Sequence, residues 1–123
     1  MHPRLPGIAL VAVLAFALPA RAQHDALKKE MIGDWSMVRG NGQTVCGLTL
    51  TNTEASPDNF QVFLKPKCDP AIAAFAPTLW RLDRGQMILM SKTGETWQFE
   101  ADDNAQWRRV PDSADGLVML RGQ

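Results

Sequence analysis

Two cysteines are the residues of this chain whose type and spacing most plainly promise chemistry with each other. Cys46 stands in Val45-Cys46-Gly47-Leu48-Thr49-Leu50 and Cys68 in Lys67-Cys68-Asp69-Pro70, 22 positions apart. In a small exported chain such a pair favours a disulfide, the rival being two buried thiols. As a disulfide it would tie an inward-facing strand at Cys46 to the segment that crosses back over the body. Closing that loop contributes about 3 kcal/mol in the chain-entropy picture.

The other reactive types do not assemble into sites. Once a leader is removed, His24 is the only histidine, and it stands apart from both cysteines, so no zinc ligand set and no metal site is expected. Asp112-Ser113-Ala114-Asp115-Gly116 lacks the spaced carboxylates and later glutamate of a calcium loop and reads as a solvated turn. Gly40-x-Gly42 has no third glycine and no helix behind it, which makes it a hairpin turn rather than a phosphate loop. No serine sits in a Gly-x-Ser-x-Gly elbow, and no Cys/His pair has an orienting acid. The sequence offers no catalytic residues and calls for no cofactor, so binding is the better default than catalysis.

Charge narrows the partners. Residues 1–22 read as a secretory signal: Arg4, an apolar run Ile8 to Leu18, then Ala20-Arg21-Ala22 as the small-x-small cleavage pattern, leaving Gln23 as the mature N-terminus. The apolar run is about 11 residues, short of the ~20 a bilayer-spanning helix needs. No membrane association is expected after cleavage. The mature chain carries 11 basic and 13 acidic residues. Arg108-Arg109 and Lys65-x-Lys67 read as exposed strand faces, not the gathered basic surface that nucleic acid requires.

The elements that would position these residues are strands. Residues 23–33 form a polar arm with one helical turn near Ala26–Met31, ended by Gly33, and residues 34–123 form the body. Trp35 and Met37 share a face, as do Cys46, Leu48 and Leu50; Phe60, Val62 and Leu64; Trp80 and Leu82; Met87 and Leu89; and Trp97 and Phe99. Trp107 marks a seventh strand, and Leu117 to Arg121 an eighth, with Val118 and Leu120 inward. Turns are expected at Gly40-Asn41-Gly42-Gln43, Asp83-Arg84-Gly85, Ser91-Lys92-Thr93-Gly94 and Asp102-Asp103-Asn104, with Thr51 to Asn59 as a connection. Asp69-Pro70 opens a short helix over Ala71–Phe75, because Asp suits the N-cap and Pro the first helical position. Eight short strands punctuated this way point to an all-β antiparallel sandwich or barrel.

In order, Glu30-x-x-Gly33-x-Trp35, Cys46-x-Leu48-x-Leu50, Cys68, Trp80, Gly85-x-x-x-Leu89, Gly94, and Gly116-x-x-x-Leu120 with Arg121 resemble the alkaline protease inhibitor family. These are bacterial periplasmic inhibitors of serralysin-type zinc metalloproteases. The likeness covers roughly residues 26–121. It implies a lipocalin-like, eight-stranded antiparallel up-and-down barrel with one short helical turn and one disulfide. It further implies a monomeric periplasmic inhibitor whose N-terminal arm enters the protease cleft near the catalytic zinc. Carried onto this chain, the arm is Gln23, His24, Asp25, Ala26 and Leu27. The arm departs from the family in opening Gln-His-Asp, and an N-terminal Gln can cyclise and lose its free amine. The competing reading is a small hydrophobic-ligand carrier or an envelope-associated structural barrel, since the fold alone permits either.

Overall fold

The computed structural model describes residues 19–111 and 116–122. Residues 1–18 of the expected 1–22 leader, residues 112–115 of the expected turn at Asp112–Gly116, and residue 123 lie outside the described residues. Helix α1 (Ala20–Met31) precedes strands β1 (Gly33–Val38), β2 (Thr44–Ser56) and β3 (Asn59–Leu64). Helix α2 (Pro70–Phe75) then leads to β4 (Pro77–Asp83), β5 (Gln86–Ser91), β6 (Thr96–Ala101), β7 (Trp107–Val110) and β8 (Val118–Arg121). Every strand pairs antiparallel with its sequence neighbours, and β8 returns to pair with β1, closing an eight-stranded barrel. Closure pairs each strand on both sides, so the sheet offers no edge for another chain to extend.

Strand alternation fills the barrel as the sequence expects. Met37, Leu48, Leu50, Met87, Leu89 and Phe99 are completely buried, and Trp35, Cys46, Trp80 and Trp107 nearly so. An eight-stranded barrel has an interior just wide enough to be filled by side chains, and here these occupy it. A ligand carrier would need that space open.

Two expectations change. Thr51 to Ser56 continues β2 rather than leaving the sheet, and the chain reverses only at Pro57-Asp58. Thr and Asn tolerate an exposed strand whose side chains face water, so their polarity alone does not end it. In β8 the inward residue is Met119, fully buried opposite Met37 and Trp107, while Val118 and Leu120 are only half-buried. With Val-Met-Leu consecutive, hydrophobicity does not fix the phase of the strand, and a shift of one residue exchanges its faces.

The turns follow local chemistry. Gly42 takes φ +89°, and the Asn41 side chain accepts the Gln43 amide at 2.9 Å. Arg84 and Gly85 both take positive φ, the conformation a two-residue hairpin demands. Asp69 caps α2 by accepting the Ala71 amide at 3.2 Å, with Pro70 as the first helical residue.

Because the strands run alternately up and down, α1, the β2–β3 and β4–β5 turns and the C-terminus all lie at one end of the barrel. Helix α2 lies at the other. There Phe75 stacks on Trp97, with ring centres 3.9 Å apart and planes 7° from parallel. Arg109 places its guanidinium 4.2 Å from the same indole. The disulfide between Cys46 and Cys68 ties β2 to the segment entering α2. The Asp69 amide donates to the Val45 carbonyl alongside it at 2.8 Å.

Candidate functional site at the α1 end of the barrel

Residues Gln23 to Leu27 all lie in α1. The helix is therefore longer than the single turn expected near Ala26–Met31. Leu27 and Met31 are spaced i, i+4, so both fall on one helix face. Met31 is completely buried in the barrel end and Leu27 packs against the same core. That two-residue stripe is the signal the polar segment concealed. Before it, Gln23, His24, Asp25 and Ala26 are exposed.

Lys28 extends back over the barrel, with its ammonium 3.8 Å from the Phe60 ring centre. Phe60 in turn sits 5.6 Å from the Trp80 indole at a tilted 43°, and the indole donates to the Thr51 carbonyl at 2.8 Å. His24, Lys28, Asp58, Phe60, Trp80 and Leu82 line a cleft of about 140 Å³ between the helix and the strand ends. A broader groove of about 570 Å³ runs between α1 and the β4–β5 turn, lined by Gln23, His24, Leu27, Arg84 and Gly85 among others. His24 borders both. The arm is thus a helix lying across the barrel mouth, anchored from Leu27 onward and exposed before it. Of the predicted site residues, the structure brings Cys46 and Cys68 together at the opposite end, and groups Gln23, His24 and Leu27, but not Asp25 or Ala26, with Asp58, Phe60 and Arg84. These last came from turns and strand ends, whose convergence depends on barrel closure and was not visible in the sequence.

The chemistry of this end is that of contact. Among the described residues, no group of three or more His, Cys, Asp and Glu side chains could hold a metal ion. Among the same residues no helix is long and apolar enough to cross a membrane.

The strand next to the arm carries one titration effect. The Asp34 carboxylate accepts the Thr49 hydroxyl at 2.7 Å and lies 3.4 Å from the Lys65 ammonium. The Thr49 hydrogen bond, followed by the Lys65 hydrogen bond and charge, holds its carboxyl below the ordinary value of 3.8. A depressed folded-state pKa stabilises above the unfolded value and is lost as pH falls through the folded one. Asp34→Asn is therefore expected to lower the urea midpoint slightly at neutral pH, with the difference from the parent closing below about pH 4. Urea titrations at the two pH values check this. Asp34 is solvent-exposed, so the effect stays small.

A packed, disulfide-tied closed barrel that carries a partly exposed helix at one mouth defines a rigid binding scaffold. The family model for protease inhibitor Inh matches residues 25–121, and the chain belongs to that family. It is accordingly a protease inhibitor, and its partner is a protease. No curated protein matches the chain.

Proposed function

We propose that the protein is exported by its residue 1–22 leader and acts in the periplasm as a monomeric inhibitor of a serralysin-type zinc metalloprotease. In this reading the mature arm Gln23–Leu27 enters the protease cleft and approaches the catalytic zinc. The observation that carries it is the division within α1, solvent-exposed through Ala26 and packed against the apolar core from Leu27 on.

Cleavage before Gln23 removes the first three residues of the helix and leaves nine. A helix that short is marginal in water, so its leading turn can open into an extended segment. An extended segment in a groove forms main-chain hydrogen bonds as an added strand does, while side pockets select residues. Either the Gln23 amine or the neutral His24 imidazole is a suitable zinc donor. Because the barrel is already rigid, ordering on binding is confined to the few arm residues.

Titration of the mature protein, its Gln23 N-terminus verified by mass spectrometry, against a serralysin-type zinc protease and a serine protease tests the target. Stoichiometric inhibition of the zinc enzyme alone is expected. Inhibition of the serine enzyme alone would overturn the target class.

A further inference from the structure

We propose that Arg121, acting with Trp35, is a positioning residue that locks the C-terminal end of α1 to the barrel and so sets the direction in which the arm leaves it. The inhibitory consequence rests on the arm reading above; the lock itself does not.

A helix leaves its last carbonyls without intrahelical donors. The last intrahelical bond runs from the Ile32 amide to Lys28 O at 3.3 Å, and past it two contacts from the barrel supply donors. Met31 O accepts the buried Trp35 indole N–H at 2.7 Å. Ile32 O accepts Arg121 Nη2 at 2.8 Å, from the last strand of the barrel. The Arg121 guanidinium also lies 5.1 Å from the Trp35 ring centre, so the two donors brace each other. Both sit on the strand pair that closes the barrel, where Trp35 is the register partner of Arg121.

Gly33 lets the chain pass beneath this brace. Its φ is +128°, and a Cβ there would stand 3.1 Å from Arg121 Nη2. Past Arg121 the Gly122 amide donates to Asp34 O at 2.8 Å, holding β8 against β1 on the far side of the contact. A guanidinium suits the position twice over. Its planar fork can donate while it stacks on an aromatic face, and a cation is favourable at a helix C-terminus.

The lock acts at the base of a lever. From Met31 to Leu27, where the anchored helix meets the arm, the rise is roughly 6 Å, so a tilt of about 20° at the joint displaces the base of the arm by about 2 Å. Displacements smaller than that are enough to misplace a group meant for a metal centre. Arg121 is itself exposed, so its truncation should spare the barrel core.

The test uses the mature chain and three variants, Arg121→Ala, Arg121→Lys and Trp35→Phe. The last keeps a ring but removes the indole donor. Amide hydrogen exchange of Ala26–Ile32 is read in the free protein, and inhibition is read against the zinc protease. Arg121→Ala should speed α1 exchange about tenfold, leave strand exchange unchanged, and weaken inhibition roughly tenfold. Arg121→Lys should recover only part of both effects, because a cationic donor remains while the planar fork that lies against Trp35 is lost. Trp35→Phe should free α1 as Arg121→Ala does, and decides the matter if Arg121→Ala disturbs the strands. Unchanged α1 exchange, or full inhibition with α1 freed, would overturn the proposal. If removal of residues 23–27 leaves inhibition intact, the arm reading fails, while α1 exchange still judges the lock.

Discussion

Replacing Trp80 by Ala is expected to destabilise the barrel by about 4 kcal/mol, near the upper end of what a single core truncation costs. Trp80 is only 1% exposed and is the register partner of both Phe60 and Leu89, so its indole spans three strands of the core. Truncation leaves a cavity in a closed shell that cannot readily collapse around it. It also strands the Thr51 carbonyl, which now accepts the indole N–H. A domain of this size has a net stability of about 5–15 kcal/mol, so the loss approaches unfolding at physiological temperature. Thermal denaturation should show a drop of about 20 °C. Trp80→Phe separates the two contributions: most of the ring is retained, and the loss should fall to about 1–2 kcal/mol, chiefly the unmade hydrogen bond. A Trp80→Ala protein melting within a few degrees of the parent would show that the interior can repack.

Loss of the Cys46–Cys68 bond is expected to cost about 3 kcal/mol, from the entropy of the unfolded chain that a 22-residue separation restrains. The paired substitution Cys46→Ser with Cys68→Ser should lower the melting temperature by roughly 15 °C. The damage should concentrate at the α2 end, because the disulfide sits beside the Asp69–Val45 hydrogen bond that seats α2. Ile72 and Phe75, the buried residues of α2, then lose their anchor, and with them the Phe75–Trp97 stack. Near-ultraviolet circular dichroism of the variant should report that stack loosening before the barrel melts. The arm lies at the other mouth, so inhibition measured well below the melting temperature should be preserved.

The strands whose inward residues alternate with polar ones were legible in the sequence. Cys46, Leu48 and Leu50 alternate with Gly47 and Thr49, and the structure buries that face as read. The cap at Asp69-Pro70 was legible for a local reason, since the Asp side chain and the Pro φ act within one helical turn. What sequence did not disclose depends on contacts made elsewhere. Val118, Met119 and Leu120 are all apolar, and only pairing with β1 and β7 selects Met119 as the inward residue. Thr51 to Ser56 stay in a strand because β3 continues opposite them through Glu54–Phe60 and Ser56–Asn59. The length of α1 was hidden because its apolar stripe is just Leu27 and Met31, and such a stripe specifies a helix only when a barrel mouth is present to bury it.

The same dependence applies to the candidate site. Gln23 to Leu27 could be named from sequence, but Asp58, Phe60 and Arg84 come beside Gln23, His24 and Leu27 only after the β2–β3 and β4–β5 hairpins are brought to the α1 end of a closed barrel. Phe60 reads as a core residue in its strand, yet it also carries the Lys28 ammonium over its ring. That contact marks where the anchored part of the helix begins.

The most direct measurement is the inhibition constant of the mature protein for a serralysin-type zinc protease, compared with that of the same protein lacking residues 23–27. Gln23 to Ala26 are exposed and of the five only Leu27 packs against the core, so their removal should lower the melting temperature by about 5 °C at most. Inhibition should weaken roughly 100-fold or more, equivalent to about 3 kcal/mol of binding free energy. A shortened protein that folds as the parent does and inhibits equally well would show that the barrel, and not the arm, blocks the enzyme.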